Sequence, residues 1–454
     1  MNVSIVGAGY VGITTGVTLA YLGHHVTLLD ADASRVECLK RGRFPIYEPY
    51  LEELAELAGP RLSYTTSAAE AHAGADVIFI AVGTPPEASG NPNLSYLQAA
   101  ATAVGDNIGE GFTVVVNKST VPIGSGNWVE SLVREAFEAR NGRRPKGHFS
   151  VASNPEFLRE GSALHDSLYP DRIVIGSDDP RALECLYGLY KPVLEQTFAA
   201  PGPLPRPEGL GAVPLITANL ASAELIKYAA NAFLALKISF VNEIAQLSEK
   251  VGADIKQIAK GIGLDARIGT RFLHAGLGWG GSCFGKDTSA IIATAREYGL
   301  TMPIVQAARD VNYRQRDRVL EKLLGELKIL KGRTIGLLGL AFKPHTDDLR
   351  DAPALDIAQR LIDRGAKVRA HDPIALERAR RECAGLPICF ADSMEALATE
   401  ADALVLVTEW PQYRDLYWAG LAERMRTRLL VDGRNFLDRE ALEAAGFRYL
   451  GMGR

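Results

Sequence analysis

The chain has little cysteine and no long uncharged apolar run, and both shortages exclude classes of protein. Its five cysteines are odd in number, scattered and without a CxxC pair, which argues against a disulfide framework or a zinc site and favours a reducing compartment. No apolar run of about 18 residues is free of charge, so we expect no membrane-spanning segment. The first residues read directly as a strand, so no signal peptide is expected either, and we predict a cytoplasmic protein.

An excess of positive charge is also missing. The net charge is −4, so a general nucleic-acid binder is not expected. With 47% hydrophobic and 23% charged residues in a chain of 454, the composition is that of a globular protein with about two to four domains.

A glycine-rich turn stands between the first predicted strand and the first predicted helix. The motif GAGYVG follows strand 2–6, and a second strand ends in an acid 18 residues after the last glycine, close to the roughly 20 expected of a carboxylate that binds ribose hydroxyls. Such glycines let a pyrophosphate approach the backbone at a helix N-terminus, and the acid favours NAD over NADP. Arg35 could contact the adenine or be a surface charge. The candidate cofactor residues here are Gly7, Gly9, Val11, Gly12, Asp30 and Arg35.

Two further predicted strands, 75–82 and 112–117, end in segments rich in threonine, serine and proline. Ligands of open parallel sheets bind beyond the carboxyl ends of the strands. Thr84, Ser119 and Thr120 are therefore candidates for cofactor or substrate contact, although turn formation would explain these residue types equally well.

The segment after the next strand carries two acids. Glu156 and Glu160 are four residues apart, so on a helical turn they would share a face. They could perform acid/base work, or they could simply begin a solvated helix, where acids are common.

A proline-rich stretch, 201–214, separates this region from a long helical pattern. Its five prolines and three glycines predict an exposed connector. The helix is predicted from Asn219 to about Val251, and its rich apolar surface predicts contact with another subunit. Lys227 and Asn231 lie on one face of it, where the lysine could stabilise an oxyanion or snorkel at a domain edge. A shorter helix is predicted over 255–261.

The stretch GLGWGGSC places four glycines and one cysteine within eight residues, ending at Cys283. A cysteine in such a loop is a candidate nucleophile, because the thiolate is the attacking species and a nearby cation such as Lys286 favours it. The alternative is a glycine turn with a small buried thiol.

The last third of the chain repeats the strand order of the first part. Segments that begin near 334, 365, 401 and 429 match the earlier strands in order, which indicates a second nucleotide-binding α/β unit. This unit lacks a full GxGxxG. Its strand ends carry Lys343, Arg350 and Arg434 instead, which suits phosphate or sugar binding, with structural ion pairs as the alternative.

Several long motifs occur in one order: GAGYVG, STVP, SNPEFLREG, AELIKYAANAFLALKISFVNE, GWGGSCFGKD and VDGRN. On these motifs the chain resembles the UDP-glucose/GDP-mannose dehydrogenase family. The resemblance implies an α/β fold with two Rossmann-like doubly wound parallel-sheet domains joined by a long central helix and a helical dimerisation region. The expected boundaries are 1–201 for an NAD-binding domain, 202–214 for the connector, 215–325 for the central helical domain and 326–454 for a UDP-sugar-binding domain.

The family oxidises a primary alcohol to a carboxylate in two NAD-dependent steps, a four-electron oxidation, without releasing the aldehyde. The resemblance implies that Cys283 attacks the bound aldehyde, and that the resulting thiohemiacetal becomes a thioester that water hydrolyses. Lys227 would stabilise the oxyanions, with Asn231 beside it.

The same resemblance assigns the proton transfers and the binding contacts. Asp287 and Thr120 would order a water that takes protons, and Glu156 would act as the base in hydrolysis. Further contacts to NAD are implied for Glu160, Lys286 and Arg350. The implied contacts to the UDP-sugar are Glu156, Phe157, Leu158, Lys227, Asn231, Arg267, Phe272, Gly280, Phe342, Lys343 and Arg434.

The loop departs from the family pattern at two positions. Gly285 stands where the family has proline, which should loosen the loop, and Trp279 replaces Tyr or Phe, which should alter the floor of the sugar pocket. Phe284 and the long helix favour UDP-glucose over GDP-mannose as substrate, and Ser282 disfavours a UDP-N-acetylhexosamine. A homodimer or higher homo-oligomer is expected.

Two alternatives belong to other functional classes. A non-catalytic NAD-binding scaffold would be marked by loss of the nucleophile, but Cys283, Lys227 and Asp287 are all present. A two-electron hydroxy-acid dehydrogenase would need no cysteine, and the number of NADH molecules formed per substrate would separate it from the main hypothesis.

Overall fold

The structure is a computed structural model that describes residues 1–85, 87, 92–109 and 111–454. Its chain divides into two compact units, of which the first ends at Ala229 and the second begins at Ala230. Each unit contains a largely parallel sheet whose strands alternate with helices, which confirms the predicted α/β class. The finer domain boundaries derived from the sequence stay predictions.

The first unit contains eight strands among its described residues. They are β1 (Asn2–Val6), β2 (His25–Leu29), β3 (Leu62–Thr65), β4 (Val77–Ile80), β5 (Thr113–Asn117), β6 (Phe149–Ser153), β7 (Ile173–Gly176) and β8 (Leu215–Ala218). Their order in the sheet is β3-β2-β1-β4-β5-β6-β7-β8, and every pairing is parallel except that of β6 with β7.

The helices of this unit connect the strands. They are α1 (Tyr10–Tyr21), α2 (Ala33–Lys40), α3 (Leu51–Ala58), α4 (Ala68–His72), α5 (Ser95–Asn107), α6 (Ser125–Asn141), α7 (Ala163–Leu168) and α8 (Pro180–Leu194). A single helix, α9 (Leu220–Val251), contains the division between the two units and confirms the long helix predicted there.

The second unit has a sheet of six strands among its described residues. They are β9 (Thr334–Leu338), β10 (Lys367–His371), β11 (Ile388–Phe390), β12 (Ala403–Leu406), β13 (Leu429–Asp432) and β14 (Arg448–Leu450). Their order, β11-β10-β9-β12-β13-β14, reproduces that of the first six strands of the first sheet, and all pairings are parallel. The repeat predicted from the sequence is therefore a repeat of topology.

The helices of the second unit begin with α10 (Ile255–Gly263), which extends two residues beyond its prediction. The others are α11 (Phe284–Glu297), α12 (Pro303–Leu327), α13 (Pro353–Asp363), α14 (Leu376–Glu382), α15 (Met394–Ala398), α16 (Trp418–Arg424) and α17 (Arg439–Ala444). No helix in the described parts of the chain combines the length and the apolar composition needed to cross a bilayer.

The central strands are apolar on both faces because both faces are covered. In β4, Val77 and Phe79 join one hydrophobic cluster and Ile78 and Ile80 join another, and all four side chains are fully buried. Continuous apolar strands of this kind are typical of parallel sheets covered by helices. Polar residues are consequently displaced to the strand ends, where the candidate site residues lie.

The connector at 201–214 forms neither helix nor strand, as predicted. Most of it is exposed, but Leu204 and Val213 are buried in the first unit, and the Tyr169 hydroxyl donates to the Leu204 carbonyl at 2.8 Å. The connector is therefore attached to the core rather than lying wholly on the surface.

Candidate functional site

The glycine turn after β1 is tightly packed at two positions and open at a third. Gly7 has a φ of +102°, and a Cβ on Gly12 would lie 1.8 Å from the Gly7 carbonyl oxygen. A Cβ on Gly9 would meet nothing within 4 Å, and no side chain among the described residues caps the start of α1, where Val11 lies. The turn therefore fits a dinucleotide, whose pyrophosphate binds to open backbone at a helix N-terminus.

Asp30 lies just beyond β2 and holds this turn in place. Its Oδ2 accepts the Ala8 N–H at 2.8 Å and Arg35 Nη1 at 3.1 Å, and its Oδ1 accepts the Asp32 N–H at 2.9 Å. A carboxylate has about four lone-pair positions, so Asp30 retains acceptor capacity for ribose hydroxyls.

The corresponding acid of the second unit is saturated. Asp372 follows β10, is 1% exposed, and holds the turn after β9. Its donors are the N–H groups of Leu340, Ala341, Ile374 and Ala375 and the indole N–H of Trp410. With these five donors, Asp372 cannot serve as a ribose acceptor, which agrees with the lack of a full GxGxxG here.

Candidate residues at the ends of β4 and β5 lie together. The Thr84 hydroxyl donates to the Thr120 carbonyl at 2.9 Å, and the Ser119 hydroxyl donates to the Val82 carbonyl at 2.8 Å. The structure thus brings these three residues to one edge of the sheet, as expected of a parallel arrangement.

The shared helical face considered for Glu156 and Glu160 does not form, because the segment that holds them is irregular. Glu156 Oε2 accepts the Leu158 N–H at 2.7 Å, a local bond that competes with helix formation. Glu156 and Glu160 consequently share no helical face and have different surroundings.

Glu156 is buried against Lys227 of α9. Lys227 Nζ lies 2.8 Å from Glu156 Oε1, and both side chains are less than a tenth exposed. Burial opposes ionisation of the carboxyl, but the charge and hydrogen bond of Lys227 outweigh it and hold the pKa of Glu156 below its ordinary value. Phe157 packs beside the pair, with its ring centroid 5.5 Å from Lys227 Nζ and 3.6 Å from the Arg172 guanidinium carbon.

A pocket opens beside this ion pair, at the ends of β5 and β6. Its lining consists of Lys118, Ser119, Thr120, Val121, Ser153, Pro155, Glu224, Lys227 and Tyr228. Lys118 was missed by the sequence reasoning, although its place directly before the candidates Ser119 and Thr120 was a usable signal. The pocket therefore carries hydroxyl groups and charges of both signs.

Glu160 lies instead near the start of α1. Burial, Glu48 and Glu160 together raise the pKa of the Tyr10 phenol, and the Tyr10 hydroxyl donates to Glu48. The Gly161 N–H donates to Glu48 Oε2 at 2.7 Å. Glu160 is thus held next to the glycine turn, a position consistent with its predicted contact to the cofactor.

In the second unit, Cys283 is exposed and directly precedes α11. One turn further along, Asp287 is 1% exposed and accepts Asn231 Nδ2 at 2.6 Å and Lys286 Nζ at 2.8 Å. The structure therefore joins three predicted residues, Asn231, Lys286 and Asp287, immediately after the candidate nucleophile.

The glycine loop before the cysteine is held by amide side chains of α9 and α12. The Gly276 N–H donates to Asn242 Oδ1 at 2.8 Å, and Gln315 Nε2 donates to the Gly276 carbonyl at 2.8 Å. Asn312 accepts the Trp279 N–H at 2.7 Å and donates to the Trp279 carbonyl at 3.0 Å. We call Asn242, Asn312 and Gln315 the amide clamp. Asn242 lies in the quoted motif of α9 but was not singled out, and no motif contained Asn312 or Gln315.

Predicted sugar-binding residues of the second unit also contact this loop. A Cβ on Gly280 would lie 2.3 Å from the Asp351 carbonyl oxygen, and one on Gly281 would lie 2.7 Å from the Phe342 ring. Arg434 Nη1 donates to the Gly278 carbonyl at 2.9 Å. The loop therefore needs glycine because other backbone and ring atoms approach it closely.

The remaining predicted residues differ in their surroundings. Lys343 Nζ lies 5.4 Å from the Phe342 ring centroid, and the Phe272 and Phe284 rings are 6.4 Å apart, so Lys343 and Phe272 lie near the loop. The Arg350 guanidinium pairs with Asp348 at 2.7 Å, and the Gly281 N–H donates to the Arg350 carbonyl at 3.0 Å. Arg267 is exposed and pairs with Asp265 at 2.6 Å. In the described parts of the chain, no hydrogen bond or ion pair of the Arg267 side chain reaches another predicted site residue.

Comparisons with known proteins cover the chain from end to end. Three family models of the UDP-glucose/GDP-mannose dehydrogenase family match, the NAD binding domain at 1–194, the central domain at 221–314 and the UDP binding domain at 336–439. UDP-glucose 6-dehydrogenase of Rhizobium meliloti is 45% identical over all of both chains, and that of Pseudomonas aeruginosa is 44% identical over 100% of this chain and 98% of its own. A solved UDP-glucose dehydrogenase from Pyrobaculum islandicum is 42% identical with a TM-score of 0.88, covering 99% of this chain and 97% of its own.

Truncation of an amide side chain of the clamp should lower the free energy of unfolding substantially. In Asn312→Ala, the buried N–H and carbonyl of Trp279 would lose their partners, at a cost of about 2–4 kcal/mol for the two groups. The urea midpoint of unfolding should fall accordingly. Gln306→Ala is the matched control, because it removes an exposed amide from the same helix and should leave the midpoint unchanged. An equal effect of both substitutions would contradict the clamp.

Two glycine substitutions in the cysteine segment should have opposite effects. Gly285 is in the first turn of α11, and an added Cβ would meet its nearest neighbour at 3.4 Å, so Gly285→Ala should raise stability by about 0.5–1 kcal/mol. Gly280→Ala should destabilise the protein, since its Cβ would lie 2.3 Å from the Asp351 carbonyl oxygen. Melting temperatures of both variants test the pair, and a rise for Gly280→Ala would refute the close approach.

Proposed function

The chain belongs to the UDP-glucose/GDP-mannose dehydrogenase family, and from this we propose that it is an NAD-dependent UDP-glucose 6-dehydrogenase. The reaction is the four-electron oxidation of UDP-glucose to UDP-glucuronate. The observation that carries the proposal is the exposed Cys283 at the start of α11, followed one turn later by a buried Asp287 that Asn231 and Lys286 hold. A simple two-electron dehydrogenase needs no such nucleophile.

The glycine turn and Asp30 would hold NAD, together with Thr84, Ser119 and Glu160 at neighbouring positions of the first unit. Bound NAD supplies the electron acceptor for both oxidation steps. Arg35, Lys286 and Arg350 are proposed as additional contacts to it, as is Val11 in the first turn of α1.

Cys283 is proposed to bind the sugar covalently at the aldehyde level. Its thiolate attacks the C6 carbonyl carbon, and the oxygen becomes an oxyanion that a buried ammonium such as Lys227 stabilises, with the Asn231 amide as a second donor. The thioester that follows is cleaved by water, which releases the carboxylate and regenerates the thiol. The covalent bond explains how the aldehyde is retained between the two steps.

Proton transfer is proposed for the groups whose surroundings suit it. Glu156 is held as a carboxylate by Lys227, so it can accept a proton from the hydrolytic water. Asp287 and Thr120 are proposed to order water during the oxidation steps. The burial and partners of Glu156 and Asp287 support their assignments, and the pocket that Thr120 lines supports its own.

The UDP-sugar contacts are proposed from the same motifs. Phe157, Leu158 and Lys227 belong to the first unit, while the second unit supplies the loop at Gly280 and the side chains packed near it. The latter are Asn231, Phe272, Phe342, Lys343 and Arg434, and the exposed Arg267 is proposed as a further contact. UDP-glucose is favoured over GDP-mannose or a UDP-N-acetylhexosamine because the full-length relatives at 44–45% identity are named UDP-glucose 6-dehydrogenases.

A homodimer is proposed from the surface of α9. Phe233, Phe240 and Leu247 recur every seventh residue and are 61%, 48% and 59% exposed, which forms an apolar stripe along the helix. A sevenfold apolar repeat favours packing against another helix, and a second copy of this chain is the partner we propose. A cytoplasmic location is proposed because the cysteines are few and form no disulfide among the described residues.

The reaction predicts two NADH per UDP-glucose consumed, measured by absorbance at the end point. Cys283→Ser should abolish net turnover while NAD affinity stays unchanged, because Cys283 is not among the residues proposed to bind NAD. Cys389→Ser removes another exposed thiol and should retain full activity. Near-normal turnover by Cys283→Ser would refute the covalent scheme, and NADH formation from GDP-mannose but not UDP-glucose would refute the substrate.

The apolar stripe predicts the assembly state. The double substitution Phe233→Glu and Phe240→Glu should convert the dimer to monomer in sedimentation velocity, since two buried charges per subunit would oppose the contact. Glu243→Gln changes an exposed residue of the same helix and should remain dimeric. A dimer that persists in the double variant would show that another surface forms the contact.

A further inference from the structure

Lys118 is a buried lysine that the proposed reaction has not used. It follows β5 directly, its residue is 8% exposed, and its ammonium donates to Asn154 Oδ1 at 3.0 Å. The Phe79 ring centroid lies 5.8 Å away. Lys118 also lines the pocket that contains Thr120 and Lys227. Lysines are rarely buried without a carboxylate partner, so its position requires an explanation.

The nearby carboxylates are already engaged by other groups. Glu156 pairs with Lys227 at 2.8 Å. Glu224 accepts the Gly124 N–H at 2.6 Å and the Gly126 N–H at 2.8 Å, where the N-terminus of α6 compensates its charge. The direct hydrogen-bond partner of Lys118 is the neutral Asn154. Lys118 therefore adds a positive charge to the pocket that no ion pair among the described residues neutralises directly and that Glu156, already paired with Lys227, offsets only in part.

This charge is costly for the fold. Burial, opposed in part by the charge of Glu156 and assisted by that of Lys227, lowers the pKa of Lys118 to about 8. Asn154 does not need the lysine, because Tyr190 also donates to its Oδ1, at 2.6 Å. An apolar side chain of similar length would fill the space without the cost of desolvation. A buried charge that lowers stability is typical of a functional site.

We propose that Lys118 is a positioning residue of the reaction pocket, whose ammonium keeps Glu156 in the carboxylate form that accepts a proton from water. The charged and titratable groups around it are Glu156 and, on α9, Glu224, Lys227 and Tyr228, with Tyr190 of α8 reaching it through Asn154. The inference rests on the proposed function for its catalytic meaning. The effect of the Lys118 charge on the pKa of Glu156 does not depend on that function.

The first test compares Lys118→Met with Lys118→Arg in the full-length protein. Loss of the positive charge should raise the pKa of Glu156, so the acid limb of the kcat–pH profile should move upward by about one pH unit. Below the shifted limb kcat should fall, while kcat at neutral pH and KM for UDP-glucose stay nearly constant, because Lys227 still keeps Glu156 ionised there. The melting temperature of Lys118→Met should rise, because a buried charge is removed. Lys118→Arg should keep the acid limb of the unaltered protein.

Tyr190→Phe is the control for a purely structural role. It removes the other donor to Asn154 Oδ1 without changing charge, so the acid limb should not move. A lower melting temperature for Lys118→Met together with an unshifted acid limb would overturn the proposal and leave Lys118 as a packing residue.

A second readout does not depend on turnover. The side-chain carboxyl carbon of Glu156, assigned by its loss in Glu156→Gln, can be titrated by ¹³C NMR without any substrate. Its midpoint should rise by about one pH unit in Lys118→Met and stay in place in Lys118→Arg and Tyr190→Phe. An unchanged midpoint in Lys118→Met refutes the proposal. Failure of the unaltered protein to reduce NAD with UDP-glucose refutes the proposed function instead, and the titration still decides the role of Lys118.

Discussion

In both units, a carboxylate that follows the second strand accepts an N–H group of the turn after the first strand. This bond ties the two strands together. Asp30 accepts the Ala8 N–H at 2.8 Å and Asp372 accepts the Leu340 N–H at 2.7 Å. The bond satisfies a backbone donor that the turn would otherwise leave unpaired, and it fixes the turn against the strand ends. Trp410 and neighbouring N–H groups saturate the second acid, whereas the first retains acceptor capacity. One topology thus yields one turn suited to a dinucleotide and one closed to it.

Buried backbone N–H and carbonyl groups also need hydrogen-bond partners in the cysteine loop, and this need explains how the loop is held. Glycines let other atoms approach closely, and close packing buries N–H and carbonyl groups that no strand is placed to pair. The amide clamp supplies those partners from α9 and α12, so the loop is fixed at Gly276 and Trp279 before it reaches Cys283. Arg434 adds a bond to the loop from the end of β13, which links a predicted sugar-binding residue to the position of the nucleophile.

The features that could be predicted from the sequence are those that depend on the spacing of neighbouring residues. Strand order, the topological repeat and α9 were predictable because apolar runs and glycine turns depend on neighbouring residues. The helical face considered for Glu156 and Glu160 does not form, and spacing alone could not show that Glu156 would bind the nearby backbone and a lysine 71 positions away. Lys118 and Asn312 were missed for the same reason, because burial and long-range partners define their roles. Which candidate residues perform the catalysis stays a prediction.

The two departures from the family pattern, Trp279 and Gly285, are neighbours in space. The indole is 5% exposed, and its ring packs edge-on at 6.0 Å against both Phe284 and Tyr313. A Cβ on Gly285 would lie 3.9 Å from the indole, so the larger ring lies over the smaller residue. Trp279 therefore packs at the start of α11, beside Gly285. The Gly285 carbonyl also accepts Arg309 Nη1 at 2.7 Å, which anchors the segment that a proline would otherwise stiffen.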